Sequence, residues 1–179
     1  MASSDSKRIA QVLNIPIYIT TQNAARLGST VSELTSLLPT SGSSATTEVD
    51  KTAFSMLVPG LTQQLQSASG PAGPGKGRMS VIIVGIETHI CVTQTALDLL
   101  AQGHKVYILA DGVSSCNAAE RPVALSRLAR EGCTVTTSES LLFELVGDAK
   151  DRNFKAVSGL VKETKDETKD AVETLCSRL

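Results

Sequence analysis

The chain has 179 residues (18.8 kDa), with 17 Lys and Arg against 18 Asp and Glu, for a formal net charge of −1. That length fits one domain able to bury a real core, and the charge balance gives no electrostatic case for nucleic acid. A mean hydropathy of +0.06 excludes wholesale disorder, and no apolar run approaches the ~20 residues of a membrane span.

The N-terminal MASSDSKRIAQ carries no apolar signal region, which predicts a cytoplasmic protein, with export by another route left open. Residues 6–14 read as the tail of an amphipathic helix, with Ile9, Val12 and Leu13 on one face. IPIYITTQ (15–22) is apolar and β-branched, and reads as a buried strand. Residues 23–46 are polar and read as a loop with a short helix at 31–38. TEVDKTAFS (47–55) opens with a short strand that turns at Asp50-Lys51. A helix over 59–67 tolerates Pro59 in its first turn. SASGPAGPGKGR (67–78) is a Gly/Pro-rich surface loop.

The second half alternates more clearly. SVIIVGI (80–86) is a continuous apolar run, expected to be buried on both faces. A helix over 88–103 closes at Gly103, and KVYILAD (105–111) is the next strand. A helix over 117–132 ends at Gly132, CTVTTSES (133–140) gives another strand, and the next helix starts at Ser138. Strand–helix alternation at this spacing predicts a parallel sheet covered by helices. Residues 162–179 are charge-rich and read as a solvated helix or tail, so 1–163 is the expected domain and 164–179 an appendage.

Ligands of open α/β sheets bind beyond the carboxyl ends of the strands, and three candidate groups lie there. Cys91 follows the strand 80–86 at the first turn of a helix, where free N–H groups favour a thiolate and can hold an oxyanion. The plain alternative is a buried structural thiol. Lys51, between Val49 and Phe54, is a candidate cation for that thiolate, or else a solvent-facing lysine. Asp111 ends the strand 105–111, where it either orients a ligand or caps the turn DGVSS. The four cysteines (Cys91, Cys116, Cys133, Cys176) include no CxxC pair, and only two histidines are present. Neither His89 nor His104 has metal-ligand spacing, so no metal is expected.

GIETHICVTQTALDLLAQGHKVYILADGVSS, followed by AAERPVALSRLAREG, resembles the isochorismatase-like cysteine hydrolases, with the small isochorismatase domain-containing proteins the nearest branch. VDKTAFSM resembles that family's lysine motif, and TTSESLLFELVGDAKDRNFKAVSGLVKE the C-terminal part of the small branch. The resemblance implies a Rossmann-like three-layer α/β/α fold with a mostly parallel sheet. It also implies Cys91 as nucleophile, Lys51 as its partner and a cis peptide between Ile86 and Glu87. The Glu87 and Cys91 amides would then face an oxyanion, with His89, Asp111 and Phe54 as pocket candidates. The implied activity is metal-free and cofactor-free hydrolysis of a small molecule. It is either isochorismate vinyl-ether cleavage to pyruvate and a dihydroxy-dihydrobenzoate, or Cys-dependent amide or ester hydrolysis. A homo-oligomer is the expected state.

One departure shapes the expectation. The family aspartate ends a first, central strand, and no match to it is found; Asp5 lies on the wrong side of a helix. Three readings follow: a shortened form of a complete enzyme, substitution by Asp50 or Glu87, or a non-catalytic binding or scaffold protein. The strands 15–22, 80–86, 105–110 and 133–136 are expected to be parallel in one layer. A weak spot or a direct pairing is expected where the first strand belongs, unless 1–14 or 164–179 fills it. No carboxylate should then reach the Cys91 sulfur and the Lys51 amine together.

Overall fold

The computed structural model describes residues 8, 10–36, 48–69 and 77–177. Asp5, residues 37–47 and most of the Gly/Pro-rich loop expected over 67–78 (residues 70–76) lie outside them. The expected N-terminal helix is represented by helical residues 8 and 10–12. The strand expected over 15–22 pairs only as β1 (Ile19–Gln22), followed by two single-turn helices, α1 (Ala24–Leu27) and α2 (Ser32–Thr35). Next come β2 (Glu48–Lys51) and α3 (Pro59–Ser69), the latter opening on its proline. β3 (Ser80–Ile86) leads through a π-helical turn (Thr88–Val92) into α4 (Thr93–Ala101). The single helix expected over 88–103 is therefore two conformations, and Cys91 sits in the wider one. β4 (Lys105–Ser114), α5 (Glu120–Glu131), β5 (Thr134–Thr136), α6 (Ser138–Val146), α7 (Phe154–Glu163) and α8 (Lys165–Cys176) complete the chain.

All the ladders are parallel, but the strands form two sheets rather than one layer. β1 pairs with β2, Ile19 opposite Glu48 through Gln22 opposite Lys51. β4 lies between β3 and β5. Among the described residues no ladder joins β1 to β3, so the expected single layer is corrected to a split one without direct pairing. The split also explains why β3 is not buried on both faces. Ile83 alone is fully buried, Val81, Ile82 and Val84 are half-covered, and Ile86 is exposed. A strand paired along one edge only has one flank of its apolar side chains left open.

The main core gathers Ile83, Val92, Ala96 and Leu99 with Val106, Ile108, Ala110 and Val113 of β4 and Leu125 and Leu128 of α5. The apolar residues of α4 recur at helical spacing, which puts them on the face toward this cluster. Gly132, with φ of 108°, caps α5 in the left-handed region where a side chain would be strained. A second cluster joins Leu142 and Val146 of α6 to Val157 of α7, with Val12 and Leu13 packed against it.

β4 carries the irregularity that decides the site's architecture. Its register with β3 runs Ile83–Ile108 and then Gly85–Val113, so two steps on β3 face five on β4. The bulge contains Asp111 and Gly112. A Cβ on Gly112 would sit 2.9 Å from Val84 Cγ1 and 3.1 Å from Leu109 Cβ, so only glycine fits there without a shift. Arg121, at the start of α5 and buried, bridges the bulge: its Nε donates to the Val113 carbonyl at 2.9 Å and its Nη2 to the Ala110 carbonyl. Its Nη1 donates to the Leu175 carbonyl at the end of α8. The tail read as solvated therefore docks by its last turn, where Cys176 packs against the main core.

Candidate active site

Lys51 ends β2, and strand alternation separates it from its neighbour: Asp50 is exposed and Lys51 is buried. The lysine does not face solvent. Its Nζ donates to Gln22 Oε1 at 2.6 Å, to the Ala53 carbonyl at 3.0 Å and to the Phe54 carbonyl at 3.1 Å. These three bonds use all the donors of an ammonium. Burial pushes the amine below its ordinary proton affinity, and the facing Cys91 and then Asp50 counter that shift. Phe54 contributes its carbonyl, whereas its ring is exposed, so the apolar wall expected beside Lys51 is not formed by that side chain.

Cys91 is a half-buried free thiol in the π-helical turn after β3. Two threonines fix this turn. Thr93 Oγ1 donates to the Thr88 carbonyl at 2.7 Å, and Thr95 Oγ1 donates to the Cys91 carbonyl at 2.6 Å. Thr95 Oγ1 also accepts the Met56 N–H at 2.9 Å, which ties the segment after Lys51 to the turn that carries the thiol. Sequence reading passed over these threonines because a helical Thr announces no partner.

The Ile86–Glu87 peptide is cis, and Ile86 is exposed. The Glu87 carboxylate turns to the loop after β4, accepting the Cys116 N–H at 2.8 Å and the Cys116 S–H at 3.0 Å. The Cys116 thiol and amide hold Glu87 below the usual carboxylate range, and the same bond pushes the Cys116 thiol up. Cys116 is exposed, not buried as a structural thiol would be. His89 is half-buried with Nδ1 3.1 Å from Ser115 Oγ, which also accepts the Thr88 N–H at 3.1 Å. It is thus bound to the Ser114–Cys116 turn rather than free in solvent.

Asp111 neither faces a pocket nor caps the turn after it. It is 1% exposed, accepting the Ser138 N–H at 2.9 Å and the Ser138 hydroxyl at 2.5 Å, so it anchors the start of α6. The bulge in β4 redirects it there. Asp50 is likewise occupied: its Oδ1 accepts the Thr21 hydroxyl and the Ala24 N–H, both at 2.9 Å, and these bonds hold it below the carboxylate range. Among the described residues no carboxylate lies within ion-pair distance of Lys51 Nζ. Thr95 thus links the segment after Lys51 to the Cys91 turn, Glu87 and His89 bind the loop after β4, and Asp111 and Asp50 are engaged elsewhere.

The Isochorismatase domain profile matches residues 3–140. The chain is 43% identical over 154 residues to the secreted isochorismatase effector Isc1 of Phytophthora sojae, covering 86% of this chain and 70% of that one. It is 40% identical over 153 residues to isochorismatase domain-containing protein 1 of Danio rerio, of which it spans half the length (86% of this chain and 50% of that one). Among solved structures, the MAR1 ribonuclease of Caenorhabditis elegans superposes with a TM-score of 0.75 at 35% identity, over 88% of this chain and 77% of that one. The YcaC gene product of Escherichia coli, an octameric hydrolase of unknown specificity, superposes with a TM-score of 0.76 at 20% identity, over 99% of this chain and 82% of that one. At that identity the likeness is one of fold.

Proposed function

The chain belongs to the isochorismatase family, and on that premise we propose that it is a hydrolase in which Cys91 is the nucleophile. The observation that carries this reading is the buried Lys51 ammonium, whose following segment is tied through Thr95 to the turn that carries Cys91. A desolvated cation facing a thiol favours the thiolate, which is the attacking species. The thiolate adds to an acyl carbon. The resulting oxyanion is met by the backbone N–H groups of Glu87 and Cys91, at a site where preorganised donors are worth most. Collapse of the adduct breaks the bond to the leaving amine or alcohol, which takes up a proton, and leaves a thioester. Water then releases the acid and restores the thiol. A cysteine is not required to cleave a vinyl ether, so its presence supports amide or ester substrates over isochorismate.

The test is mass-mapped alkylation of the intact chain, together with turnover of a panel holding a small amide, an ester, isochorismate and an RNA oligonucleotide. Cys91 is expected to alkylate faster than Cys116, Cys133 and Cys176. Cys133, whose thiol burial pushes up to about 11, is expected to be the slowest. The acyl panel members should leave an acyl adduct at Cys91, and Cys91→Ala should remove both adduct and turnover. Turnover that survives Cys91→Ala, or cleavage of RNA alone, would overturn the assignment. Ligand binding without turnover would favour a binding protein that keeps the fold.

A further inference from the structure

Glu87 follows β3 and is half-buried, and nearly all its polar groups are engaged. Its carbonyl accepts the Ile90 N–H at 3.2 Å and the Val92 N–H at 3.1 Å, which folds the turn carrying Cys91 back upon it. Its carboxylate reaches the other way, to the loop after β4, where Oε2 accepts the Cys116 N–H at 2.8 Å and Oε1 the Cys116 S–H at 3.0 Å. The next residue repeats the tie: Thr88 N–H donates to Ser115 Oγ at 3.1 Å, and Thr88 Oγ1 donates to the Ser114 carbonyl at 2.9 Å. Of the polar groups of Glu87, its N–H alone has no hydrogen-bond partner among the described residues. A donor left open at the carboxyl end of a parallel strand is available to a ligand.

We infer that Glu87 and Cys116 are positioning residues for the proposed oxyanion site: their contact ties the Glu87 side chain to the loop after β4 and so holds the open Glu87 N–H in place for the oxyanion formed when Cys91 is acylated. The inference rests on the acyl-transfer reading above. It separates two reactions of one thiol. Acylation by an ester builds negative charge on a carbonyl oxygen and calls on that N–H. Alkylation by iodoacetamide forms an S–C bond and expels iodide with no oxyanion, so it does not. Both reactions use the thiolate, and the ratio of their rates cancels the ionisation of Cys91. The contact also has a pH range, because it needs an ionised carboxyl and a protonated thiol. Their mutual hydrogen bond holds the carboxyl below its ordinary value and the thiol above 9.0. The contact is therefore intact at neutral pH and lost as pH rises through the folded value of the thiol. His89, with Nδ1 3.9 Å from Glu87 Oε2, is the other titratable group facing the pair, and imidazoles ordinarily titrate well below that alkaline limb.

The experiment measures, by mass-mapped peptides of the full chain, the rate of Cys91 acetylation by p-nitrophenyl acetate and of its alkylation by iodoacetamide, across neutral and alkaline pH. The variants are Cys116→Ala, Cys116→Ser and Glu87→Gln, with thermal melts to confirm that each is folded. At neutral pH the ratio of acetylation to alkylation is expected to fall about ten-fold in Cys116→Ala and Glu87→Gln, less than the 10²–10³ of losing an oxyanion donor outright. Cys116→Ser, whose hydroxyl still donates to the carboxylate, should keep the ratio of the parent. In the parent the ratio should fall as the Cys116 thiol ionises, and in Cys116→Ser, which has no proton to lose in that range, it should not. If Cys116→Ala and Glu87→Gln leave the ratio unmoved, the contact is merely structural and the inference fails while the acyl-transfer reading stands. If the alkaline fall persists in Cys116→Ser, the limb belongs to another group and the positioning role is refuted. If the parent alkylates at Cys91 but forms no acetyl adduct there, the reading beneath the inference is overturned with it.

Discussion

Replacing Arg121 by Met removes a guanidinium that no sequence motif singles out and that the fold uses at three places. Its donors satisfy the Val113 and Ala110 carbonyls within the β4 bulge and the Leu175 carbonyl at the end of α8. The first two bonds are buried, so water cannot replace them without opening the bulge. Leaving a buried carbonyl unpaired costs about 1–3 kcal/mol, which puts the two at roughly 2–6 kcal/mol. Against this, the variant no longer desolvates a cation, a relief of several kcal/mol at full burial and less for a group that keeps three oxygens around it. The methionine retains most of the aliphatic packing. The net expectation is a loss of about 2–3 kcal/mol in urea unfolding, equivalent to about 4–12 °C in Tm for a chain of this length. Hydrogen exchange should rise first in the last turn of α8, before the core of β4. Arg121→Lys should recover only part of the loss, because a point charge cannot reach three carbonyls set as a fork. A Met variant within 0.5 kcal/mol of the parent (roughly the noise of a surface substitution), or a Lys variant fully as stable, would refute the account of Arg121 as the brace of the bulge.

Gly112→Ala should cost about 1–3 kcal/mol, the usual range for overpacking, because the new methyl meets Val84 and Leu109 at 2.9 and 3.1 Å; Gly159→Ala, with nothing within 4 Å, is the control, and equal melts for the two would sink the argument. The Glu87–Cys116 pair predicts a pH window. The carboxyl is held below its ordinary 4.5, so its contribution is present above that value and lost as pH falls through the folded one; the thiol is pushed above 9.0, so its contribution is present below that value and lost as pH rises through the folded one. Melts of the parent against Glu87→Gln should therefore differ near neutrality and converge at both extremes, and a constant offset across pH would contradict the pairing.

What the sequence disclosed follows from what is local. The run SVIIVGI and the stretch KVYILAD announce strands because their apolar residues are contiguous. Gly132 announces a helix end because the left-handed cap is a property of one residue. The Cys91 turn was legible for the same reason, as a thiol a few residues beyond a strand. Lys51 was legible as a candidate cation, but its burial was not, because its partners come from elsewhere: Gln22 lies 29 residues away and the carbonyls of Ala53 and Phe54 are invisible in a side-chain pattern. Asp111 was read as a ligand or turn group because three extra residues in β4 cannot be inferred from composition, and those residues turn it toward Ser138. The Glu87–Cys116 contact also spans 29 residues, which left Cys116 looking like any other thiol. The charged tail hid its docking because the acceptor that Arg121 uses is a main-chain oxygen, which every residue has.

The division into two sheets sets the problem that the site must solve. Lys51 belongs to β1–β2 and Cys91 to the turn after β3, and no ladder between those sheets holds the two at a fixed separation among the described residues. A charge acting on a thiol weakens with distance, so the pair is only as good as the connection between its carriers. The connection is made by one hydroxyl. Thr95 Oγ1 accepts from Met56 N–H, five residues beyond Lys51, and donates to the carbonyl of Cys91 itself. A serine would supply the same oxygen, but the threonine's branched Cβ limits its rotamers and keeps both bonds in one geometry. Leu57 packing on the main core presses the same segment down beside the buried face of α4. The Lys51 end is fixed in turn by the Ala53 and Phe54 carbonyls, which belong to that segment. The chain from ammonium to thiol therefore runs Lys51, the 53–57 segment, Thr95 and the Cys91 carbonyl, each link a hydrogen bond or a short stretch of backbone. Arg121 holds the β4 bulge beside Ser114 and Ser115, which bind Thr88, so the geometry of the proposed site depends on polar braces to main-chain atoms that leave little trace in the pattern of side chains.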